Sequence, residues 1–269
     1  MKILGVTSLF HDTGVALLDN GKITHAVNEE RLSRKKMHVG FPYQSLEYVR
    51  SQVKKHDVDV VAVSDIPASE LFQKVKFAMF DRSLWHPNPL IMLKSQAMMT
   101  RWVWKTMKWY RHFQREQEVM FKKLGLPVKR LEHHVNHAAS AYFTSGFKKC
   151  LVVTIDNHGD GICGSVSLGD KNQLVRLDVL PWPHSPGFFY AMVTKVLGFK
   201  PGRHEGKITG LAAFGNVNSP VYQEVKKLMW FEQGTIKTRA MMGLRGWVYE
   251  LAKKFSREDL SAAFQRVLE

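Results

Sequence analysis

Ile3-Leu4-Gly5-Val6, Phe10-His11-Asp12-Thr13-Gly14, Val15-Ala16-Leu17-Leu18, Asp19-Asn20-Gly21 and Lys22-Ile23-Thr24-His25-Ala26-Val27 read, in that order, as strand, turn, strand, hairpin and strand. The first run is apolar enough for a buried strand. Asn20-Gly21 accepts positive φ at both central positions of a tight hairpin. Residues 150–181 repeat the layout. Leu151-Val152-Val153-Thr154-Ile155 is a strand and Asp156-Asn157-His158-Gly159-Asp160-Gly161 a turn. Ile162 to Leu168 is a second strand, Gly169-Asp170-Lys171-Asn172 turns again, and Leu174 to Leu180 is the third. Each first turn is polar and carries glycine, so its backbone N–H groups are little obstructed and suit phosphate. A duplicated meander with later helices implies two related α/β lobes around a cleft, with ligands where the paired turns face each other.

Between the meanders the pattern turns helical. A helix starts at Tyr43 after Phe41-Pro42, Val58 to Ser64 is an apolar strand, and Pro127 to Leu131 a short one. The expected organisation is a first lobe over 1–149, with a helical aromatic-basic insertion over about 66–126, and a second lobe over 150–269. Near the end, Ser256 followed by Asp259 reads as a helix N-cap with an acidic third position. Leu260, Ala263, Phe264, Val267 and Leu268 mark one apolar face.

The composition is that of a globular protein, 45% apolar and 23% charged. Two cysteines, Cys150 and Cys163, make neither a disulfide framework nor a zinc spacing. The cytoplasm is the expected compartment, since Met1 to Val6 reads as a strand and not a signal peptide, and no run of 18 apolar residues occurs. The net charge of +15 concentrates between Lys94 and Arg130, where ten Lys/Arg meet two Glu and interleave with Trp102, Trp104, Trp109, Tyr110 and Phe113. Such a segment either turns its aromatics inward and solvates its charges, or lies against an anionic membrane surface. A nucleic-acid partner has only the charge in its favour and is not expected.

His133 and His137 stand four apart at the start of a helix, so both imidazoles project from one face and can grip one metal ion. The alternative is a pair of surface histidines. Asp156, Gly159 and Asp160 either face a nucleotide or donor or simply make a tight turn. Glu205-Gly206-Lys207 leads into Gly210-Leu211-Ala212-Ala213-Phe214-Gly215, where Lys207 could neutralise a phosphate and the small residues suit close helix contact.

Four segments together resemble the carbamoyltransferase family of antibiotic and nodulation-factor biosynthesis: Ile3 to Asp12 with its hairpin, Glu29-Glu30-Arg31-Leu32-Ser33-Arg34-Lys35-Lys36 with Phe41-Pro42, His133 to Phe143, and His184-Ser185-Pro186-Gly187-Phe188-Phe189-Tyr190 followed by Gly202 to Gly215. The resemblance implies duplicated actin-like, RNase H-like lobes, the second incomplete. It implies transfer of a carbamoyl group from carbamoyl adenylate, made from carbamoyl phosphate and ATP by a further C-terminal domain or a partner chain, to a hydroxyl of a small molecule or glycan. It implies a metal, iron above other divalent ions, on His133, His137 and a later aspartate expected downstream of this chain. His11 and Asp12 match the family's His-Asp pair, with His11 as the base that takes the acceptor's proton. Arg31, Arg34 and Lys35 become phosphate- or substrate-facing candidates. Met37 intervenes where the family often places a histidine, and His38 follows. Members are much longer, so the isolated chain is expected to be inactive or to need a partner. Two other readings remain: a non-catalytic nucleotide-binding module, and a basic protein that binds a membrane surface or nucleic acid through the segment from Lys94 to Arg130.

Overall fold

The computed structural model describes residues 1–9, 11–53, 57–79, 89–216, 218–238, 248 and 250–268. Phe10 of the expected first turn lies outside them, as do residues 80–88 of the helical insertion. The chain divides into two compact units, Met1–Gln73 with Val103–Asn136, and Lys74–Trp102 with His137–Glu269.

The first unit holds a five-stranded sheet. Strands β1 (Lys2–Thr7), β2 (Gly14–Asp19) and β3 (Lys22–Asn28) form the meander, and β4 (Val60–Val63) and β5 (Val128–Arg130) complete the sheet. The order is β3-β2-β1-β4-β5. β2 is antiparallel to both neighbours, while β1, β4 and β5 run parallel. That order and those directions are the RNase H-like arrangement of an actin-like lobe. The β2–β3 hairpin turns on Asn20 and Gly21, both at positive φ (48° and 82°), as a type I′ turn demands.

Strand alternation sends Leu4 and Val6, Val15 and Leu17, and Val61 and Val63 to one face. Helix α2 (Tyr43–Ser51) covers them with Leu46 and Val49, beside Phe121 and Leu124 at the end of helix α4 (Pro89–Leu124). Pro42 offers α2 no side-chain cap. The buried carboxylate of Glu29, at the head of the short helix α1 (Glu29–Ser33), does the capping instead, accepting from Gln44 N at 3.1 Å and Ser45 N at 2.7 Å.

The insertion is helical, as α3 (Ala68–Met79) and α4. Val103, Met107 and Tyr110 turn inward, and the Tyr110 hydroxyl donates to Ile66 O at 2.8 Å. Trp104 points outward, 64% exposed, with Lys108 Nζ over its ring at 5.6 Å. No helix among the described residues is long and apolar enough to cross a membrane.

The second unit carries a three-stranded sheet, β6 (Lys149–Gly159), β7 (Ile162–Asp170) and β8 (Gln173–Pro181), in that order. Helix α5 (His133–Ser145) leads into it, and Ala138 and Tyr142 pack on Val152. Helices α6 (Pro186–Val196), α7 (Glu205–Ala212), α8 (Val221–Lys226) and α9 (Arg257–Leu268) form a separate core around Phe189, Ile208, Leu228 and Phe264, with a β9 (Met229–Glu232)–β10 (Thr235–Thr238) hairpin alongside. Ser256 Oγ accepts from Asp259 N at 3.0 Å, so the cap read from the sequence starts α9.

The duplication is in register. Lys2 faces Asp19 in the first hairpin as Lys149 faces Asp170 in the second, so Leu4, Val6, Val15 and Leu17 correspond to Leu151, Val153, Val166 and Leu168. One expectation needs correcting. The polar run Asp156–Gly161 is not an open turn. β6 continues to Gly159, with an irregularity between Ile155 and Gly159, and the turn itself is Asp160 and Gly161, both at positive φ (52° and 84°). Alternating backbone pairing resumes at Gly159↔Ile162 because a two-residue I′ turn matches the strand twist. A Cβ on Gly161 would lie 2.8 Å from Lys74 Cβ, so that turn is closely covered and does not present a bare cradle.

Candidate metal centre

Helix α5 begins immediately after β5 and two linking residues. The Glu132 carboxylate accepts from His134 N at 2.7 Å, satisfying one of the N–H groups the first turn leaves over. Asn136 Nδ2 donates to Ser64 Oγ, Leu131 O and Glu132 O at 3.2, 3.1 and 3.0 Å, pinning the helix start to the end of β4. His134 is fully buried and meets His133 edge-on, ring centroids 5.5 Å apart. His133 and His137 are thereby held one turn apart on the same face.

Asp156 lies in the irregular stretch of β6. His137 Nε2 stands 3.6 Å from Asp156 Oδ2. His133, His137 and Asp156 each offer one ligand atom, and the three atoms lie within 4.8 Å of one another. Sequence reading looks for the oxygen donor downstream of Glu269 and gives Asp156 to a nucleotide. The structure instead sets a carboxylate of this chain beside the two imidazoles. Two imidazoles and one carboxylate suit a divalent transition metal and leave coordination positions open for a substrate.

The backbone at Asp156 is held by α6. Ser185 is the N-cap of that helix: its hydroxyl accepts from Phe188 N at 2.9 Å and donates to Asn157 O at 2.5 Å and toward Asp156 O at 3.3 Å. Pro186 occupies the first helical turn, where its missing N–H costs nothing. A Cβ on Gly187 would lie 2.8 Å from Asn157 Cα and 2.9 Å from Asn157 N, so only glycine lets α6 approach the strand this closely. His184 is buried, and its Nδ1 accepts from Thr238 N at 3.2 Å. The sequence singles out His184 to Tyr190 by resemblance but assigns it no role. Its role here is to set the position of Asp156. Beneath it, Cys163 is buried, and burial pushes its thiol up to about 12.

The remaining candidates fall elsewhere. His11 Nδ1 and Asp12 Oδ2 are 2.7 Å apart on an exposed loop of the first unit, with Asp12 at φ 59°. A hydrogen bond through Nδ1 leaves Nε2 as the atom that can take a proton. Arg31, Arg34 and Lys35 are exposed around the end of α1; Arg31 lies 3.7 Å from Glu30, and Arg34 ends the helix at φ 59°. His38 Nδ1 meets Ser33 Oγ at 3.0 Å. Gly159 ends β6, and Asp160 is buried in the turn beside it. Lys207 is exposed in the first turn of α7, its Nζ over the Phe199 ring at 5.9 Å. It therefore has a partner of its own within the second unit.

The family model described as carbamoyltransferase N-terminus matches residues 2–269. An uncharacterized protein of Synechocystis is 30% identical over 222 residues, which is 79% of this chain and 34% of that protein. The nodulation protein NolNO of Sinorhizobium fredii is 28% identical over 78% of this chain and 28% of its own length. HypF of T. kodakarensis, a solved structure, aligns at 12% identity with a TM-score of 0.49, over 99% of this chain and 38% of that one. The chain spans about a third of the length of the two curated relatives.

Proposed function

The chain belongs to the carbamoyltransferase N-terminal family, and from that premise we propose that it is the transfer module of an O-carbamoyltransferase. In this reading it moves a carbamoyl group from carbamoyl adenylate to a hydroxyl of a small molecule or glycan. The carbamoyl adenylate is made from carbamoyl phosphate and ATP by a further domain or a partner chain. The observation that carries the reading is the convergence of His133, His137 and Asp156. The donor set fits a divalent ion, iron in the first instance. When bound there, such an ion would polarise the carbamoyl carbonyl or anchor the adjoining phosphate.

The chain's own groups do the rest. The acceptor oxygen attacks the carbamoyl carbon, the bond from that carbon to the AMP oxygen breaks, and AMP leaves with the electron pair. An alcohol needs its proton removed as the attack proceeds. His11 takes that proton on Nε2, with Asp12 on Nδ1 fixing the tautomer and balancing the imidazolium. Arg31, Arg34 and Lys35 supply positive charge for phosphate groups of the donor. Asp156 keeps its place because Ser185 and the bare face of Gly187 hold the backbone around it.

The reading is tested by metal content. The protein purified from iron-supplemented cells should carry close to one equivalent, and His137→Ala should carry background levels. A wild-type protein that takes up no transition metal at any supplementation would remove the reading.

A second property rests on a separate observation. Leu90, Leu93 and Trp104 are exposed on α4, with exposed Arg101, Lys105, Lys108 and Arg111 beside them. That pattern suits peripheral docking on an anionic membrane surface, which would suit an acceptor presented there.

A further inference from the structure

From Val103 to Leu124 the buried positions of α4 recur at alternating spacings of four and three, as the inner stripe of a packed helix does. Two of those positions are not apolar. Gln114 and Gln117 are only 6% and 1% exposed. Burying an amide costs free energy unless its donor and acceptor are both bonded. Both amides are bonded, and their partners lie just beyond β1 and β4 and at the end of β5, all in the first unit. Gln114 Nε2 donates to Ile66 O at 2.6 Å and its Oε1 accepts from Ala68 N at 2.9 Å, which fixes the chain between β4 and α3.

Gln117 reaches further. Its Oε1 accepts from Arg130 Nη1 at 3.1 Å. Arg130 is the last residue of β5 and is paired with the buried carboxylate of Asp65, two residues past β4. A guanidinium can only donate, so this bond turns the amide with its Nε2 the other way. Nε2 donates to Ser8 Oγ at 2.5 Å. Ser8 is buried, directly follows β1 and opens the loop that carries His11 and Asp12.

That loop is strained. Leu9 and Asp12 are both held at positive φ (96° and 59°) without being glycine. Such backbone persists only where its surroundings over-determine it. The buried side chain of Leu9 is one anchor and the Ser8–Gln117 bond is the other. The His11 and Asp12 side chains are themselves exposed, yet meet at 2.7 Å. Their geometry therefore comes from the backbone beneath them and not from packing around them. We propose that Gln117 is a positioning residue for His11: the Asp65–Arg130–Gln117–Ser8 chain of bonds holds the strained loop in the form that seats His11 Nδ1 on Asp12. The inference rests on the assignment of His11 to proton removal.

The test is the reactivity of His11 in the natural-length protein. Diethyl pyrocarbonate modifies imidazole nitrogens. Cleavage after lysine and arginine leaves His11 as the one histidine of Ile3–Lys22 and His25 as the one histidine of Ile23–Arg31. Gln117→Met keeps the side-chain length and loses both bonds. His11 should then label roughly threefold faster or more, since release from Asp12 opens both ring nitrogens where only Nε2 was open. His25 should keep its rate. Gln117→Glu should restore the slow rate, because its carboxyl group can bond to both Ser8 Oγ and Arg130. AMP release from ATP and carbamoyl phosphate, with glycerol as the probe hydroxyl, should fall about ten- to a hundredfold in kcat in Gln117→Met. The KM for carbamoyl phosphate should be unchanged, and Gln117→Glu should recover the rate. Unchanged labelling of His11 would overturn the inference. So would His11 and His25 rising together, which marks a general loosening of the unit. Faster labelling of His11 alone with undiminished turnover, or a wild type that releases no AMP, would instead remove the transfer role on which the inference rests. Ser8→Ala breaks the same link from the side of the loop and repeats the measurement should Gln117→Met fold poorly.

Discussion

His137 Nε2 and Asp156 Oδ2 stand 3.6 Å apart, nineteen residues apart in sequence, one on the helix that enters the second sheet and the other on that sheet's first strand. Removing either should empty the centre. Asp156→Asn keeps the shape and loses the charge, so metal content measured by mass spectrometry should fall from about one equivalent to background. Thermal stability in chelator should change little, because both side chains are partly exposed.

Ser185 holds Asp156 through the backbone, and its loss should therefore act at a distance. Ser185→Ala removes an N-cap, worth about 1 kcal/mol, and frees the carbonyls of Asp156 and Asn157. Metal affinity should drop by about tenfold, the lower end for an orienting partner, measured by competition with a chromophoric chelator. Gly187→Ala should do more harm, since its methyl meets the Asn157 backbone.

The first meander is legible because its devices are local: Asn20-Gly21 fixes a hairpin, and Leu4, Val6, Val15 and Leu17 alternate as a half-buried sheet must. The histidine pair is legible for the same reason, through the 3.6-residue period. Asp156 is not, because Asp-Asn-His-Gly-Asp-Gly has the composition of a turn and folds as an irregular strand. Its place beside the histidines emerges only from chain length. A helix of 13 residues runs ~20 Å, and a strand from Lys149 to Asp156 runs ~23 Å back, which returns Asp156 to the level of the histidines. Glu29 capping α2 from outside the helix is equally silent in the sequence.

His11 is assigned to proton removal, and that role separates cleanly from metal binding. In the natural-length protein with carbamoyl phosphate, ATP and an acceptor, His11→Ala should lower the transfer rate by roughly 10²–10⁴-fold, with metal content unchanged. Asp12→Asn should lower it less, because the imidazole remains and only its tautomer and charge balance suffer. Full turnover in His11→Ala would assign the base elsewhere.

Cys163 gives a pH signature of its own. Burial raises its thiol from 9.0 to about 12, with Asp156 adding to the rise and Ser185 opposing it. The folded state thus keeps a proton that the unfolded chain releases near 9. The resulting stability is present in full below that pH and is lost as pH rises toward 12, on the order of a few kcal/mol across the window. Below pH 9 the gap in melting temperature between wild type and Cys163→Ala should not change with pH through this group, and above pH 9 the wild type should fall more steeply than the variant. At pH 8 the thiol should resist Ellman's reagent, while Cys150 reacts.

Trp104 and Lys108, stacked and exposed on α4, place the lipid question on a single surface. A basic side chain near an anionic bilayer contributes about 1 kcal/mol, so removing two through Lys105→Ala/Lys108→Ala should weaken binding by about thirtyfold. Flotation with phosphatidylserine-containing vesicles should recover the wild type in the lipid fraction, and pure phosphatidylcholine vesicles should not. Raising the salt should release it, because exposed charges are screened within a Debye length of roughly 8–10 Å. Trp104→Ala should weaken binding even at low salt, which separates insertion of the ring from charge attraction alone. Flotation that is independent of lipid charge, or absent altogether, would return α4 to a solvated face that packs Val103, Met107 and Tyr110 inward and does nothing more.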